Sequence, residues 1–188
     1  MSATITNWPL TLEQFLSLPE AEPALEMGCA GEISQKVSPT FKHALLQREI
    51  AARLEAYAAP RRAGHSVTEQ RVILGRVARV PDVAFYRQER LPLNEAGQYI
   101  DHPTTPPDLV VEIYSPGQED RRELVQKAAW YVEQGVRIVL LVDPDRRRVT
   151  AFAPSGEAVF EKTQPLPLSD ILPGLQMTPA ELFAALEP

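Results

Sequence analysis

Three residues in the middle of the chain, Asp82, Glu112 and Lys127, supply the side-chain types needed for metal-assisted hydrolysis. Glu112 interrupts the apolar run DLVVEIYS (108–115), and Asp82 follows Pro81 at the start of another apolar segment. A carboxylate buried in such a run is unfavourable by several kcal/mol unless it is paired or binds a cation. We therefore expect Glu112 to have a partner, and Asp82 is the candidate.

Two converging carboxylates with room for water form the minimal site for a hard cation. Mg²⁺ prefers one or two protein carboxylates together with waters and phosphate oxygens, and it activates water while offsetting charge on a phosphodiester. Lys127 lies on the helix after the Glu112 strand, and that helix must pack back against the sheet. The pattern predicts Mg²⁺ or Mn²⁺ held by Asp82 and Glu112, with Lys127 positioning or activating water, or stabilising the developing charge.

The elements that position these residues follow from periodicity and turn residues. Helical spacing predicts a helix over 41–58, with Ala44, Leu45, Ile50, Leu54 and Tyr57 on its apolar face. Further helices are predicted over 11–18, 118–134 and about 178–186, and strands over 24–37 (a pair), 66–74, 77–87, 108–115, 136–143, 147–153 and 157–162. Residues 88–107 form a loop long enough to suggest function.

A strand, a helix and a strand follow one another after residue 108, which predicts two parallel neighbours. The expected fold class is therefore mixed α/β, with a central mixed β-sheet flanked by helices. The length suits a single domain spanning 1–188. We divide it into an N-terminal helical extension (1–23), a core (24–162) and a C-terminal tail with a short helix (163–188).

Composition excludes several classes of protein. The net charge of −6 argues against a protein that only coats nucleic acid, which needs a basic excess, but not against an enzyme with an acidic cation site. A single cysteine, Cys29, excludes an intrachain disulfide and a thiolate metal site from one chain. No apolar run is long enough to span a bilayer and no basic signal-peptide region is present, so we expect no membrane association and a cytoplasmic location.

Several phrases of the sequence resemble the PD-(D/E)xK, or restriction-endonuclease-like, superfamily, and most closely its branch named Uma-two. They are VPDVAFYR (80–87), PPDLVVEIYSPGQED (106–120), KAAWYVEQGV (127–136) and LLVDPDRRRVTAF (140–152), with a weaker match in GEISQKVSP followed by His43. The resemblance covers about residues 24–160. It implies a restriction-endonuclease-like fold and hydrolysis of DNA phosphodiesters. It also implies a homodimer, because cutting two strands takes two sites.

The resemblance also implies roles for individual residues. Asp82 and Glu112 would be metal ligands, and the backbone carbonyl of Ile113 would be a further metal contact. Tyr114 stands where the superfamily motif carries a lysine, and in this branch the lysine lies on the following helix, as Lys127 does here. Two more acids, Glu26 and Glu32, are implied near the site.

Glu112 and Lys127 also have ordinary structural explanations. Glu112 fits a structural ion pair with an arginine such as Arg87 or Arg137. Lys127 fits a surface lysine paired with Glu123 one helical turn away, which contributes a few tenths of a kcal/mol.

Other polar and aromatic residues carry weaker signals. Asp82 after a proline also fits a turn or strand-cap acid. His43 is more typical of a polar residue at a helix start than of a metal-site residue, and Gln126 is a lesser candidate for the pocket of Lys127. Trp130 and Tyr131 have the spacing of core packing.

A second class of function stays open from the sequence. A nuclease fold without cleavage would serve as a nucleic-acid-binding or protein-interaction module, which the acidic charge and Tyr114 favour. Cleavage of RNA, or of damaged or branched DNA, is equally compatible with these residues. The sequence contains neither a GxxxxGK phosphate loop nor a GxSxG nucleophile elbow, so nucleotide hydrolysis and serine-based acyl transfer are unsupported.

Overall fold

The computed structural model describes residues 9–115 and 120–188. Their helices are α1 (Leu12–Leu16), α2 (Phe41–Ala58), α3 (Arg121–Glu133) and α4 (Pro179–Phe183). Their strands are β1 (Leu25–Met27), β2 (Ile33–Gln35), β3 (Gly64–Thr68), β4 (Val72–Leu74), β5 (Val77–Arg79), β6 (Val83–Arg87), β7 (Leu109–Ile113), β8 (Ile138–Asp143), β9 (Arg148–Ala153) and β10 (Gly156–Glu161). Residues 118 and 119, where α3 was predicted to begin, lie outside the described part of the chain.

The large sheet has six strands in the order β10-β9-β8-β7-β6-β3. β7 and β8 run parallel and are joined through α3, whereas the other neighbours in this sheet are antiparallel. The predicted strand–helix–strand unit is therefore confirmed. So is the fold class, a mixed α/β fold with a central mixed sheet flanked by helices.

Each face of the large sheet is covered by one long helix. Val111 and Ile113 of β7 belong to the apolar cluster that contains α2 and the C-terminal segment, whereas Val110 belongs to the cluster that contains α3. Residues that alternate along a strand point to opposite faces, so Glu112 must share the face of Val110. The covering of both faces explains why β7 and β8 read as nearly continuous apolar runs.

The predicted bounds of α2 are confirmed, but its predicted apolar face was partly wrong. The helix begins after Thr40, whose side chain accepts a hydrogen bond from the His43 N–H as an N-cap. Leu46 and Leu54 are fully buried against the sheet, whereas Ala44 is exposed. The apolar residues of α2 that are buried against the sheet are instead spaced four positions apart, which places them in one row along the helix.

A second, four-stranded sheet with the order β2-β1-β5-β4 was not predicted. Each of the strands expected over 66–74 and 77–87 is instead broken in two, with one half in each sheet. Glu69 has a φ of 53° between β3 and β4, which ends the extended conformation. Pro81 lies between β5 and β6 and has no N–H to donate to a ladder. The small sheet therefore leaves the large sheet beside Asp82.

The segments at both ends of the described chain pack against these sheets. Leu168, Leu172 and Phe183, from the region after residue 162, are buried in the same cluster as α2. At the other end, Thr11 and Gln14 form a capping box that starts α1, and Phe15 packs against the small sheet. No helix in the described ranges is both long and apolar enough to cross a membrane.

The start of β7 is fixed by a fully buried acid, Asp108. Its Oδ1 lies 3.0 Å from Arg87 Nε, 3.2 Å from Arg90 Nη1 and 3.4 Å from Arg137 Nε. Arg90 also donates to the carbonyl of Pro106 at 2.9 Å, which closes the loop over 88–107. Both arginines considered as structural partners of Glu112 are thus paired with Asp108 instead.

We expect Leu54→Ala to lower the free energy of unfolding by about 2–5 kcal/mol, because the substitution leaves a cavity between α2 and the sheet. Leu93→Ala is the matched control, since Leu93 is 42% exposed in the long loop, and should change stability by about 0.5 kcal/mol or less. Urea denaturation followed by circular dichroism measures both. Equal losses in the two variants would contradict this placement of α2.

Candidate active site

The two candidate carboxylates lie opposite one another on adjacent antiparallel strands. β6 and β7 pair Val83 with Val111, and one further step along this register sets Asp82 opposite Glu112. Directly opposite residues have Cβ atoms about 4.5–5.5 Å apart. Each of the two acids is only 2% exposed. The juxtaposition expected from the sequence is therefore present, on neighbouring strands joined by the long loop.

Asp82 is held by three groups from different parts of the chain. Its Oδ2 accepts a hydrogen bond from the backbone N–H of Ile113 at 2.7 Å. Its Oδ1 lies 2.8 Å from Lys36 Nζ and 3.3 Å from His43 Nε2. Burial raises the pKa of Asp82, but the Lys36 ammonium and the hydrogen bond from His43 outweigh burial and keep the pKa well below its usual range.

His43 therefore lies at the site, although its position at a helix start gave it little weight in the sequence. The residue is buried in the first turn of α2, and its Nδ1 lies 3.0 Å from Ser115 Oγ just after β7. The imidazole thus bridges the Asp82 carboxylate and the segment that follows Glu112. The sequence signal that could have identified His43 is its position shortly after the phrase GEISQKVSP. That phrase contains β2, and only a short segment separates it from the start of α2.

Lys36 was not singled out from the sequence at all. It follows β2 and donates to Glu69 at 2.8 Å as well as to Asp82, with a side chain that is 13% exposed. Burial lowers the pKa of Lys36, but the neighbouring carboxylates, Asp82 foremost, raise it above its ordinary value. A lysine in a polar segment has no distinctive pattern, so only the three-dimensional fold reveals it.

Glu112 is paired with the ammonium of Lys127. Lys127 Nζ lies 2.9 Å from Glu112 Oε1, and the lysine side chain is 13% exposed, so Lys127 is not the surface lysine of a helical pair with Glu123. Burial raises the pKa of Glu112, Lys127 opposes that rise, and the charge of Asp82 adds to it; together they raise the pKa to about 7. The two carboxylates therefore repel each other across the strands.

Glu26, implied only by resemblance, is the second partner of Lys127. Its Oε1 lies 3.0 Å from Lys127 Nζ and accepts from the Val80 N–H at 2.8 Å, while its Oε2 lies 3.1 Å from Arg79 Nη1. Burial raises its pKa, but Lys127 and then Arg79 outweigh burial and lower the pKa. Glu32, the other implied acid, is exposed and accepts from the Ala30 N–H.

The aromatic residues near Lys127 pack as expected. Tyr131 is fully buried in the cluster under α3, with its hydroxyl beside Glu112, and burial followed by that carboxylate raises the pKa of the phenol. Trp130 is partly buried against the same cluster. Tyr114, at the position where the superfamily motif has lysine, packs there too, with the Arg121 guanidinium 4.4 Å from its ring centre.

Two cavities adjoin the site, one at Asp82 and the other at Lys127. A cavity of about 630 Å³ is lined by Asp82, Lys36 and His43, together with Gln47 and Glu69. A second cavity of about 430 Å³ is lined by Lys127, Glu26, Gln126 and Trp130. The β1–β2 hairpin contributes Glu26 to the second cavity and leads into Lys36, which lines the first.

The residues that could hold a hard cation here are Asp82 and Glu112. No cluster of three or more His, Cys, Asp or Glu side chains suited to a metal ion occurs in residues 9–115 and 120–188. Two carboxylates nonetheless match the preference of Mg²⁺ for few protein ligands and several waters. The raised pKa of Glu112 supports this fit, because a cation between the two acids would relieve their repulsion.

Comparisons with known proteins agree with this fold. A crystal structure described as that of a putative nuclease belonging to DUF820 from Anabaena variabilis ATCC 29413 matches with a TM-score of 0.89 and 29% identity, over 95% of this chain and 100% of that one. Comparison with the curated proteins gives no significant match. The family model Uma2, described as "Putative restriction endonuclease", matches residues 12–181. The resemblance noted in the sequence is thereby confirmed, and the chain belongs to the Uma2 family.

Proposed function

We propose that this protein is a metal-dependent endonuclease that hydrolyses phosphodiester bonds in DNA. The observation that carries the proposal is the buried pair Asp82 and Glu112 on adjacent strands, with the Lys127 ammonium 2.9 Å from Glu112. Membership of a nuclease-like family and the nuclease-like structural neighbour support the reaction class. A homodimer belongs to the proposal because cleavage of both strands of a duplex takes two sites.

Asp82 and Glu112 would hold Mg²⁺ or Mn²⁺, and the carbonyl of Ile113 is proposed as a further contact from the resemblance. A bound ion of this kind lowers the pKa of water and polarises a phosphoryl oxygen. Within the chain, the Ile113 N–H orients the Asp82 carboxylate, since it donates to Oδ2. Metal ligation needs the deprotonated form of Glu112, so cation binding is expected to release a proton near neutral pH.

Lys127 would position the attacking water or stabilise the negative charge that develops on the phosphate. Glu26 also contacts this ammonium, at 3.0 Å, and both acids raise the pKa of Lys127 against the effect of burial. Lys127 therefore carries its charge throughout the neutral range and acts as an electrostatic group. A role as general base would require the opposite shift of its pKa.

The alternative of a nuclease fold without cleavage rested on the acidic net charge and on Tyr114 in place of the motif lysine. The ammonium of Lys127 contacts Glu112 from the neighbouring helix, so the cation that the motif supplies is present in space though displaced in sequence. This contact favours cleavage over a silent interaction module. DNA is proposed as the substrate on the strength of the family, and RNA is an arm of the test.

Cleavage of a supercoiled plasmid and a single-stranded oligonucleotide, with Mg²⁺ or Mn²⁺, tests the proposal directly. We expect Asp82→Asn and Lys127→Met to lower the cleavage rate by about 10²-fold or more, since each removes a charge at the reacting phosphate. Asp170→Asn is the matched control, because Asp170 is exposed and remote from these contacts. An RNA oligonucleotide run in parallel decides between the two substrates.

Unchanged cleavage by Asp82→Asn would rule out the proposed centre. DNA binding without cleavage by the wild-type protein, under every cation condition, would support the interaction-module alternative instead.

Thermal unfolding with Mn²⁺ tests the metal site without relying on activity. At a Mn²⁺ concentration of 100 times Kd, ligand binding stabilises the native state by about 2.7 kcal/mol, which corresponds to a Tm increase of about 5–10 °C. We expect this increase in the wild type and in Glu157→Ala, the control at an exposed acid on β10. Glu112→Ala should show no increase. Equal responses of both variants would place the cation elsewhere.

The raised pKa of Glu112 predicts an unusual pH dependence of stability for the metal-free protein. Between its ordinary pKa of 4.5 and about 7, the folded state retains a proton that the unfolded state releases, so the free energy of unfolding falls as the pH rises. The fall from this group amounts to about 3 kcal/mol at most. Urea denaturation in EDTA at pH 5 and pH 7.5 measures it.

Glu112→Gln mimics the protonated carboxyl, so the variant should gain stability relative to the wild type as the pH rises from 5 to 7.5. A constant difference between the two proteins over this range would contradict the assigned protonation of Glu112.

A further inference from the structure

Lys36 is a second largely buried ammonium at the carboxylate pair, and it lines a different cavity from Lys127. Lys36 directly follows β2 and lines the cavity of about 630 Å³. Lys127 belongs to α3 and lines the cavity of about 430 Å³. The Nζ of Lys36 lies 2.8 Å from Asp82 Oδ1 and 2.8 Å from Glu69 Oε2. The ammonium thus bridges a buried acid of the site and a half-exposed acid at the cavity wall.

The two oxygens of Asp82 are already engaged. Oδ2 accepts from the Ile113 N–H, and Oδ1 carries the Lys36 ammonium and the His43 ring. A divalent cation that bound through Oδ1 would compete first with Lys36, whose ammonium lies nearer to this oxygen than the His43 ring does. Lys36 would then keep only Glu69, a half-exposed acid, as its anionic partner, which leaves room for a second anion beside its ammonium.

If Lys36 leaves Asp82, its side chain can extend into the cavity of about 630 Å³ that both residues line. Glu69 is 46% exposed, and it also accepts from Gln47 at 2.8 Å, so it anchors both residues at the cavity wall. Gln47 in turn donates to the backbone carbonyl of Asp82 at 2.9 Å. Lys36 can therefore move from Asp82 toward the cavity while it keeps its contact with Glu69.

We propose that Lys36 is a phosphate-binding residue, which neutralises Asp82 before substrate binds and contacts a phosphodiester oxygen of the nucleic acid once a divalent cation replaces it on Asp82. The inference rests on the proposed function, since it assigns a substrate contact within the same site. It makes cation and nucleic acid bind cooperatively. With a cation on Asp82, Lys36 would be free to contact the phosphate, and the phosphate would replace Asp82 as its second anionic partner beside Glu69.

Binding measurements separate this exchange from a purely structural ion pair. The affinity of a short DNA duplex is measured by fluorescence anisotropy in EDTA and in saturating Ca²⁺, chosen as a cation intended to bind without supporting cleavage. Mn²⁺ affinity without DNA is measured by calorimetry. For the wild type we expect Ca²⁺ to raise DNA affinity by about 5–150-fold, the usual range of coupling between two sites.

Lys36→Met should lower this enhancement by about tenfold and should raise the affinity for Mn²⁺ in the absence of DNA, because the competing ammonium is gone. Lys36→Arg keeps the charge and should retain most of the enhancement. Lys42→Met is the matched control, since Lys42 is 62% exposed and pairs only loosely with Asp145 at 3.5 Å. The loss of a surface lysine that merely attracts DNA lowers the DNA affinity equally with and without Ca²⁺, so the enhancement by Ca²⁺ stays unchanged.

An enhancement in Lys36→Met equal to that of the wild type would overturn the inference, even if the wild type cleaves DNA and binds Mn²⁺ as proposed. Failure of the wild type to bind any divalent cation would overturn the inference and the proposed function together. Circular dichroism verifies that each variant is folded. If Lys36→Met does not fold, Lys36→Gln replaces it with the same expectations.

Discussion

The candidate site depends on one constraint, the antiparallel register of β6 and β7 that sets Asp82 opposite Glu112. A shift of one residue would turn Glu112 away from α3 and toward the apolar cluster beneath α2. The hydrogen bond from Ile113 N–H to Asp82 Oδ2 continues the pairing of the two strands beyond their last ladder residue, through a side chain. The apolar residues on both faces of β7 fix the register of the two strands, and this register sets the positions of Asp82 and Glu112.

Two like charges fixed this closely need compensation, and the chain supplies it from three elements. Lys127 comes from α3, His43 from α2 and Lys36 from the segment after β2. The β1–β2 hairpin adds Glu26, which pairs with Lys127. This hairpin and the residue after it thus supply a partner for a lysine, Glu26, and a partner for an acid, Lys36. Its contribution is electrostatic as well as structural, because it sets the charges that any incoming ion or phosphate must replace.

The parts of this architecture that could be predicted are those in which one residue type violates a strong pattern. A single glutamate in DLVVEIYS marks a buried charge whatever the fold. The long patterned segments predicted the bounds of α2 to the residue and those of β7 and β8 to within two residues. The break at Glu69 was overlooked because a positive φ at a residue other than glycine has no sequence signal. The break at Pro81 was overlooked because proline is tolerated at the start of a strand. Strands of three residues, as in β1, β2, β4 and β5, are too short to carry a periodic signal.

Lys36 and His43 were underestimated for a related reason. A polar residue in a polar segment is unremarkable in sequence, and its role depends on which distant element it faces. Lys36 lies 46 residues from Asp82, and the contact exists only because the small sheet folds back over the end of β6. Glu26 lies 101 residues from Lys127 and is reached through the same fold. Long-range pairs of this kind follow from topology, and topology was inferred only for the strand–helix–strand unit.

The acidic balance of the whole chain does not determine how this site meets a polyanion. Three buried or half-buried cations, Lys36, Lys127 and Arg79, face the three acids Asp82, Glu112 and Glu26, so the local charge is close to balanced when Glu112 is ionised. A divalent cation added to such a set leaves an excess of positive charge in a site of low dielectric, where charge acts strongly. Phosphate is the natural counter-charge for that excess. A protein with a net charge of −6 can therefore present a cationic centre, provided that the cation binds first or together with the nucleic acid.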